Sequence, residues 1–260
     1  MTKIIRCLAG IFAVSAVLFP ASAPAQDKTL HILSGGAAQS LIEDLAPQFK
    51  KDTGFSIAGQ YGAVGAMADK LRGGERADLV VLTTTVLDQL AKDKLLQPGD
   101  YRNVGWVTTA VAVRSKDAAP RIDNADMLRD AFLAADEIFL PDTKSSTAGI
   151  HLMKVLAKLN IADKVKDRIR EYPAGRIAMK NLAASPAKTA IGATQTTEIV
   201  VTPGVRLVGT LPKGFDLSSM YAAAIPAKAE NAAAAQKLSD LLAADAQRSL
   251  RDSKGFAAQK

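Results

Sequence analysis

The feature that most constrains the fold is a pattern in which a short apolar run ends at glycine or small polar residues and then resumes with helical spacing. It occurs at Leu30 to Leu41 (LHILSGGAAQSL), at Phe55 to Leu71 and at Glu137 to Leu156. Such alternation predicts strand–helix units, and therefore an α/β fold of mostly parallel sheets covered by helices. Glycines at strand exits allow sharp turns and leave N–H groups free at helix starts, where an anion is stabilised. The pattern predicts a small-anion site where three such turns meet.

Two longer strand candidates, Trp106 to Val113 and Val205 to Thr210, flank a middle α/β block. Strands placed in this way would let the chain cross from one lobe to another and return. We therefore predict two lobes, each with its own sheet and helices, and a ligand cleft between them. Residues 26–105 plus 210–260 are assigned to lobe I, and residues 106–209 to lobe II.

The N-terminal segment has the pattern of an export signal. Lys3 and Arg6 precede an apolar stretch from Leu8 to Pro20, and small residues follow from Ala21 to Ala25. The apolar stretch is shorter than the roughly 20 residues that cross a bilayer. We predict a signal peptide over residues 1–25, cleavage after Ala25 and a periplasmic protein. The single cysteine, Cys7, lies in this segment, so the mature chain has no thiol for a disulfide or a nucleophile.

Charge and composition exclude several classes of function. The formal net charge is +7, and removing the two positive side chains of residues 1–25 leaves +5. Lysines are scattered and aromatic residues make up only 5%, which argues against nucleic-acid binding. The two histidines and the spacing of the carboxylates predict no metal site. No phosphate-binding, dinucleotide or serine-hydrolase motif is present, so we predict no cofactor. A monomer with a small anionic ligand is expected.

The candidate ligand contacts lie at strand exits and at the helix starts that follow. Three groups of these candidates could instead have a purely structural role, and the sequence leaves both interpretations open. The serines before Ala148 would cap a helix, Thr83 would cap the helix through Leu90, and Arg176 would either grip a carboxylate with two hydrogen bonds or pair at the surface. The candidates are Ser34, Gly35, Gly36, Ala37, Gly62, Ala63, Val64, Thr83, Ser145, Ser146, Thr147, Ala148, Arg176 and Gln195.

Four stretches carry a resemblance to a known family. They are LHILSGGAAQSLIEDLAPQFKKDTG, GAVGAMADKLRGGERADLVVLT, DTKSSTAGIHLMKVLAKLN and AAAAQKLSDLLAADAQRSLRDSKGF. Over nearly the whole mature region the chain resembles type II periplasmic solute-binding proteins, and among them the molybdate-binding branch. The resemblance implies a two-lobed protein that closes on a solute and delivers it to an ABC permease at the inner membrane.

The chain departs from that branch where the ligand would bind. The branch presents serine hydroxyls from its first two turns, whereas this sequence has Gly36 and Ala37 in the first turn and Gly62 to Gly65 in the second. Gln195 stands where the branch often has a tyrosine. Because a buried dianion needs donors for its lone pairs, these departures favour an organic di- or tricarboxylate over molybdate.

An enzymatic alternative remains open, because periplasmic aconitate isomerases resemble the same branch. Interconverting trans- and cis-aconitate needs a pocket for three carboxylates and one group that removes and returns a proton. His151 is the first candidate for that base, with Tyr61 and Glu198 as weaker ones. The sequence does not separate a binding protein from an isomerase.

Overall fold

The structure is a computed structural model that describes residues 28–257, so the predicted signal peptide, its cleavage site and Cys7 lie outside the described residues. Nine strands are described: β1 Thr29–Gly35, β2 Ser56–Gly62, β3 Leu79–Thr83, β4 Arg102–Arg114, β5 Glu137–Pro141, β6 Ile169–Tyr172, β7 Ala190–Gln195, β8 Val205–Thr210 and β9 Ser218–Ala224. The α-helices are α1 Gln39–Thr53, α2 Val64–Arg72, α3 Thr84–Lys92, α4 Ala125–Ala134, α5 Thr147–Lys158, α6 Ala162–Val165, α7 Gly175–Ala184, α8 Thr196–Ile199, α9 Ala232–Ala243 and α10 Arg248–Ser253.

The α/β class predicted from the alternation of apolar runs is confirmed. The strands lie in the order β2-β1-β3-β9-β4-β7-β5-β6, and β8 pairs with β4 on the edge opposite β7. Parallel pairs occupy both outer parts of this curled sheet, where β1 joins β2 and β3, and β5 joins β6 and β7. Between these two parts lie β4 and β9, and every pair that either of them makes is antiparallel. The sheet is therefore mixed.

Strand β4 links the two halves of the molecule. Its residues Arg102 to Thr108 pair with β9, and its residues from Thr109 onward pair with β7 and β8. The strand β8 was expected to carry the chain back, but it pairs only with the second half of β4. The chain returns to the first half through residues 211–217, which lead into β9. The backbone N–H of Thr109 in β4 donates to the carbonyl of Leu217 at the end of this segment. The domain boundaries assigned above stay a prediction.

Each half has its own hydrophobic core. The first half packs α1, α2, α3 and α9 around β1, β3 and β9, with Phe49 and Leu82 fully buried. The second half packs α4 and α5 on one face of its strands, around Phe132, and α7 on the other face, around Met179. Separate cores on either side of a cleft are what a hinged pair of lobes requires.

Candidate functional site

The candidate site is a cleft where four helix starts meet, two from each half. The first half contributes the 3-10 turn Gly36–Ala38, which leads into α1, and the start of α2 at Ala63 and Val64. The second half contributes the start of α5 at Ser146 and Thr147 and the start of α7 at Ala174 and Gly175. A helix start carries unpaired backbone N–H groups and a partial positive charge. Their convergence adds positive partial charge to the cleft.

Few of these helix starts are capped by the side chain of the preceding residue, although the first-turn amides of Arg176 and Gly65 already donate to Glu198 and to the carbonyl of Ser145. The residues before the 3-10 turn, before α2 and before α7 make no side-chain cap. At α5 the hydroxyl of Ser146 accepts a hydrogen bond from the backbone N–H of Gly149 at 3.4 Å. Ser146 thus has the capping role that the sequence allowed, and it lines the cleft as well.

Glu198 contributes the carboxyl group of the site, held between the two halves. Its side chain accepts hydrogen bonds from the hydroxyl of Thr194 at 2.6 Å and from the backbone N–H of Arg176 at 3.3 Å. A Cβ at Gly36 would lie 2.5 Å from its Oε1, and a Cβ at Gly175 would overlap its Oε2. Only glycine at these two positions leaves room for the carboxyl group.

Burial raises the pKa of Glu198 above its ordinary value, although hydrogen bonds from Thr194 and from the backbone of Arg176, Gln195 and Gly175 oppose the rise. Tyr221 lies on the other side of the cleft, in β9. Burial raises the pKa of its hydroxyl as well, and the charge of Glu198 adds to that effect. The cleft therefore holds a tyrosine that stays protonated and a carboxyl group that gains a proton more readily than usual.

The mouth of the cleft is crossed by an ion pair between the halves. Arg176 Nη1 of α7 lies 2.9 Å from Glu43 Oε2 of α1, and both side chains are partly exposed. Burial alone would raise the pKa of Glu43, but hydrogen bonds from Arg176 and Gln39 and the charge of Arg176 hold it below its usual value. Nearby, burial and the charge of Glu43 raise the pKa of Tyr61 to about 12.

The halves also meet through their backbones. The N–H of Gly65, in the first turn of α2, donates to the carbonyl of Ser145 at 2.9 Å. The space left inside is small: about 10 Å³ is open to the centre of a water-sized sphere, which is about what one water molecule needs. The two halves are therefore closed on each other, with little room left between them.

Eight of the sequence-predicted residues line this cleft together, and they come from both halves. They are Gly36, Ala37, Gly62, Ala63, Val64, Ser146, Thr147 and Gln195.

The other candidates lie beside or behind the lining. The hydroxyl of Ser34 donates to the carbonyl of Gly35 within the strand, and Ser145 binds Asp142. Thr83 precedes α3 and is buried, but its side chain makes no cap. Gly35 packs against Tyr221, Ala148 is buried in α5, and Arg176 is at the mouth.

His151, the first candidate for a catalytic base, does not line the cleft. One ring nitrogen lies 2.7 Å from the carbonyl of Phe215, on the segment that returns to β9. That nitrogen carries the proton in this contact, so only the other ring nitrogen could accept one. Of the two weaker candidates, Glu198 lies in the lining and Tyr61 lies near the mouth beside Glu43.

Sequence reasoning missed three lining residues, Ala174, Gly175 and Tyr221. The turn before α7 follows β6, a four-residue strand that is too short to stand out in the sequence, so the helix start after it has little local signal apart from Arg176. That little signal is Pro173 and Gly175 after a short β-rich run. Tyr221 had no local signal, because it reaches the cleft only through the pairing of β9 with β3.

A larger hollow of about 450 Å³ lies on the second half, lined by residues such as Val113, Pro120 and Ile191. Its lining is mainly apolar and no helix starts converge on it, so the cleft is the stronger candidate. Within residues 28–257, no group of three or more histidines, cysteines or carboxylates is placed to hold a metal ion. The helices of that same range include none with the length and apolar character to cross a membrane.

Comparisons with known proteins agree with this architecture. The sequence model of a family described as bacterial extracellular solute-binding protein matches residues 30–257. An aconitate isomerase from Pseudomonas sp. is 26% identical over 234 residues, covering 86% of each chain. The molybdate-binding protein ModA of Escherichia coli (strain K12) is 22% identical over 221 residues, covering 83% of this chain and 84% of ModA.

Among solved structures, the periplasmic molybdate-binding protein of Azotobacter vinelandii superposes with a TM-score of 0.75 at 17% identity. The match covers 89% of this chain and all of that one. At this identity the likeness concerns the fold alone.

Proposed function

Because the chain belongs to the bacterial extracellular solute-binding proteins, we propose that it binds a small organic di- or tricarboxylate in the cleft. As a periplasmic monomer it would then deliver this solute to an ABC permease. The observation that carries the proposal is the convergence of four helix starts, two from each half, on one cavity. Their amides and dipoles suit negative charge distributed over more than one group.

Glu198 favours a carboxylate over molybdate as the ligand. While Glu198 is ionised, a compact dianion would concentrate two negative charges beside this buried carboxylate, which is costly in a poorly solvated site. An extended carboxylate keeps its charged groups apart and can place them at the helix starts of α2 and α5, away from Glu198. Of the lining residues, Ser146, Thr147 and Tyr221 are the three that carry a hydroxyl group.

Binding assays on the mature protein test this proposal. Thermal-shift and calorimetric titrations would compare molybdate and tungstate with di- and tricarboxylates at matched ionic strength. Stabilisation by a ligand grows with its affinity for the native state, so we expect a carboxylate to give the largest midpoint shift. A larger shift with molybdate or tungstate than with any carboxylate would contradict the proposal.

A second candidate function is aconitate isomerisation, and the position of Glu198 is the observation that favours it. A base takes a proton from the methylene carbon of aconitate, the double bond moves, and the proton returns to the former vinylic carbon, so no oxidant or cofactor is required. A carboxyl group in the cleft with a raised pKa is suited to this transfer. The similar Pseudomonas protein is described as an aconitate isomerase.

Incubating the mature protein with trans-aconitate and measuring cis-aconitate tests the second function. Turnover in the wild type, lost in Glu198→Gln while aconitate binding persists, would assign an isomerase with Glu198 as the base. A His151→Gln variant provides the comparison for the other candidate base. Tight binding of aconitate without turnover would rule out the isomerase and support the binding-protein function.

A further inference from the structure

Gln195 is the buried polar side chain of the cleft that has no partner. It is the last residue of β7, it lines the cavity, and only 3% of its surface is exposed. Neither its Oε1 nor its Nε2 has a hydrogen-bond partner among the described residues. It precedes α8 in the N-cap position, yet its side chain makes no cap there. Nothing in the described part of the chain accounts for an amide at this place.

An unpaired buried amide is energetically unfavourable. Each donor or acceptor that is buried without a partner costs about 1–3 kcal/mol of folding free energy. Methionine or leucine would fill the same space without this cost, so an amide at this position is best explained by a partner that arrives with the ligand.

The chemistry of the amide limits what that partner is. Nε2 only donates, and Oε1 only accepts. Molybdate oxygens and ionised carboxylates accept hydrogen bonds and cannot donate one, so they would satisfy Nε2 and leave Oε1 facing negative charge. A ligand with a hydroxyl group next to a carboxylate satisfies both atoms, because its O–H donates to Oε1 while its carboxylate accepts from Nε2.

We propose that Gln195 selects a hydroxycarboxylate, a di- or tricarboxylate that carries a hydroxyl group beside a carboxylate. This inference rests on the proposed carboxylate-binding function and narrows its ligand class. Thr109 supports the polar character of this corner. It is the cross-strand partner of Gln195 on β4, and its buried hydroxyl also has no partner among residues 28–257. Side chains of cross-strand partners lie on the same face of the sheet.

Matched ligand pairs that differ by one hydroxyl group test the inference. Calorimetry on the mature protein would compare malate with succinate, and citrate with propane-1,2,3-tricarboxylate. In the wild type the hydroxylated member should bind at least about tenfold more tightly, which corresponds to about 1.4 kcal/mol. In Gln195→Met that ratio should fall to near one. Gln89→Met, at an exposed position on α3, is the matched control and should keep the wild-type ratio.

The stability of the ligand-free variant provides a second readout. Because Gln195→Met removes two unpaired polar atoms, its midpoint of thermal unfolding should equal or exceed that of the wild type. A midpoint several degrees lower would mean that the amide is hydrogen-bonded within the protein, for instance to Thr109, and would overturn the inference.

The outcomes separate this inference from the function on which it rests. Carboxylate binding without a preference for the hydroxyl group, or the same preference in Gln195→Met as in the wild type, overturns the role of Gln195 and leaves the proposed function intact. Molybdate binding without any carboxylate binding overturns both.

Discussion

At the scale of single residues, Glu198 combines burial with an ionisable group. Its raised pKa means that the native state binds more protons than the unfolded state above the ordinary glutamate pKa. The carboxyl group therefore favours the native state fully below that value and loses this contribution as the pH rises toward the folded pKa. The site is thus coupled to pH through one side chain.

Glu198→Gln should remove that coupling. As the pH rises from about 4.5, the unfolding free energy of the wild type should fall relative to that of the variant, by up to about 1.4 kcal/mol per pH unit. Urea unfolding of both proteins between pH 4.5 and 8 measures the difference in slope. Glu171→Gln, at an exposed position, is the control and should follow the wild type. Parallel curves for wild type and Glu198→Gln would contradict the prediction.

Arg176 has two possible roles, a ligand contact and a pair with Glu43, and two variants separate them. Its Nε is buried without a partner, so the guanidinium has capacity beyond the ion pair. If it also grips a carboxylate, Arg176→Ala should weaken binding by about 2 kcal/mol or more, while Glu43→Gln should change it much less. Calorimetry with the best carboxylate ligand measures both. If both variants lose the same binding free energy, the role of Arg176 is limited to its ion pair with Glu43.

At the scale of secondary structure, Asp78 ties three elements together just before β3. Its buried carboxylate accepts backbone hydrogen bonds from His31 of β1 at 2.9 Å and from Asn231, before α9, at 2.8 Å. Burial would raise its pKa, but these hydrogen bonds hold the pKa below its ordinary value. Its stabilising contribution is therefore present above the ordinary aspartate pKa and is lost as the pH falls.

Asp78→Asn should destabilise the first half by about 1–3 kcal/mol at neutral pH, because an amide nitrogen cannot accept the hydrogen bonds that one carboxylate oxygen receives. The loss should shrink toward pH 3. Urea unfolding over this pH range measures it. Asp69→Asn, at an exposed position on α2, should cost little. A loss for Asp78→Asn that is independent of pH would contradict the assignment to the charged form.

The arrangement of strands and helices determines which parts of the site could be predicted from the sequence. Gly36 and Gly62 were found because a strand exit and the following helix start are adjacent in the chain, so the pattern of the turn is local. Gly175 was missed because β6 is only four residues long, and Tyr221 was missed because the pairing of β9 with β3, far away in the chain, brings it to the cleft. The pair of Glu43 with Arg176, 133 residues apart, has no local signal either.

At the scale of the whole molecule, the ion pair at the mouth of the cleft is weak enough for closure to depend on the ligand. The exposed pair of Glu43 with Arg176 is worth about 0–1 kcal/mol, too little to hold the cleft shut by itself. We expect the ligand-free protein to populate open arrangements and saturating carboxylate to shift it to the closed one. Small-angle scattering should then record a smaller radius of gyration with ligand. An unchanged radius on saturation with a ligand of verified affinity would contradict a hinged clamp.

Gly65→Ala should block this closure. In the closed arrangement a Cβ at Gly65 would lie 2.9 Å from the carbonyl oxygen of Ser145, and this neighbour is backbone that cannot rotate away. We expect the variant to fold normally, to bind carboxylate at least about tenfold more weakly, a loss of about 1.4 kcal/mol, and to keep its larger radius of gyration when ligand is added.

Gly209→Ala is the matched control for that experiment, because a Cβ there has Ile122 as its nearest neighbour at 3.6 Å, an ordinary contact away from the cleft. It should close and bind like the wild type. If Gly65→Ala also compacts normally with ligand, the halves need not meet at Gly65 and Ser145 when the protein binds. The functional closed state would then be wider than the one in this structure, in keeping with a ligand much larger than the one water molecule for which the cleft now has room.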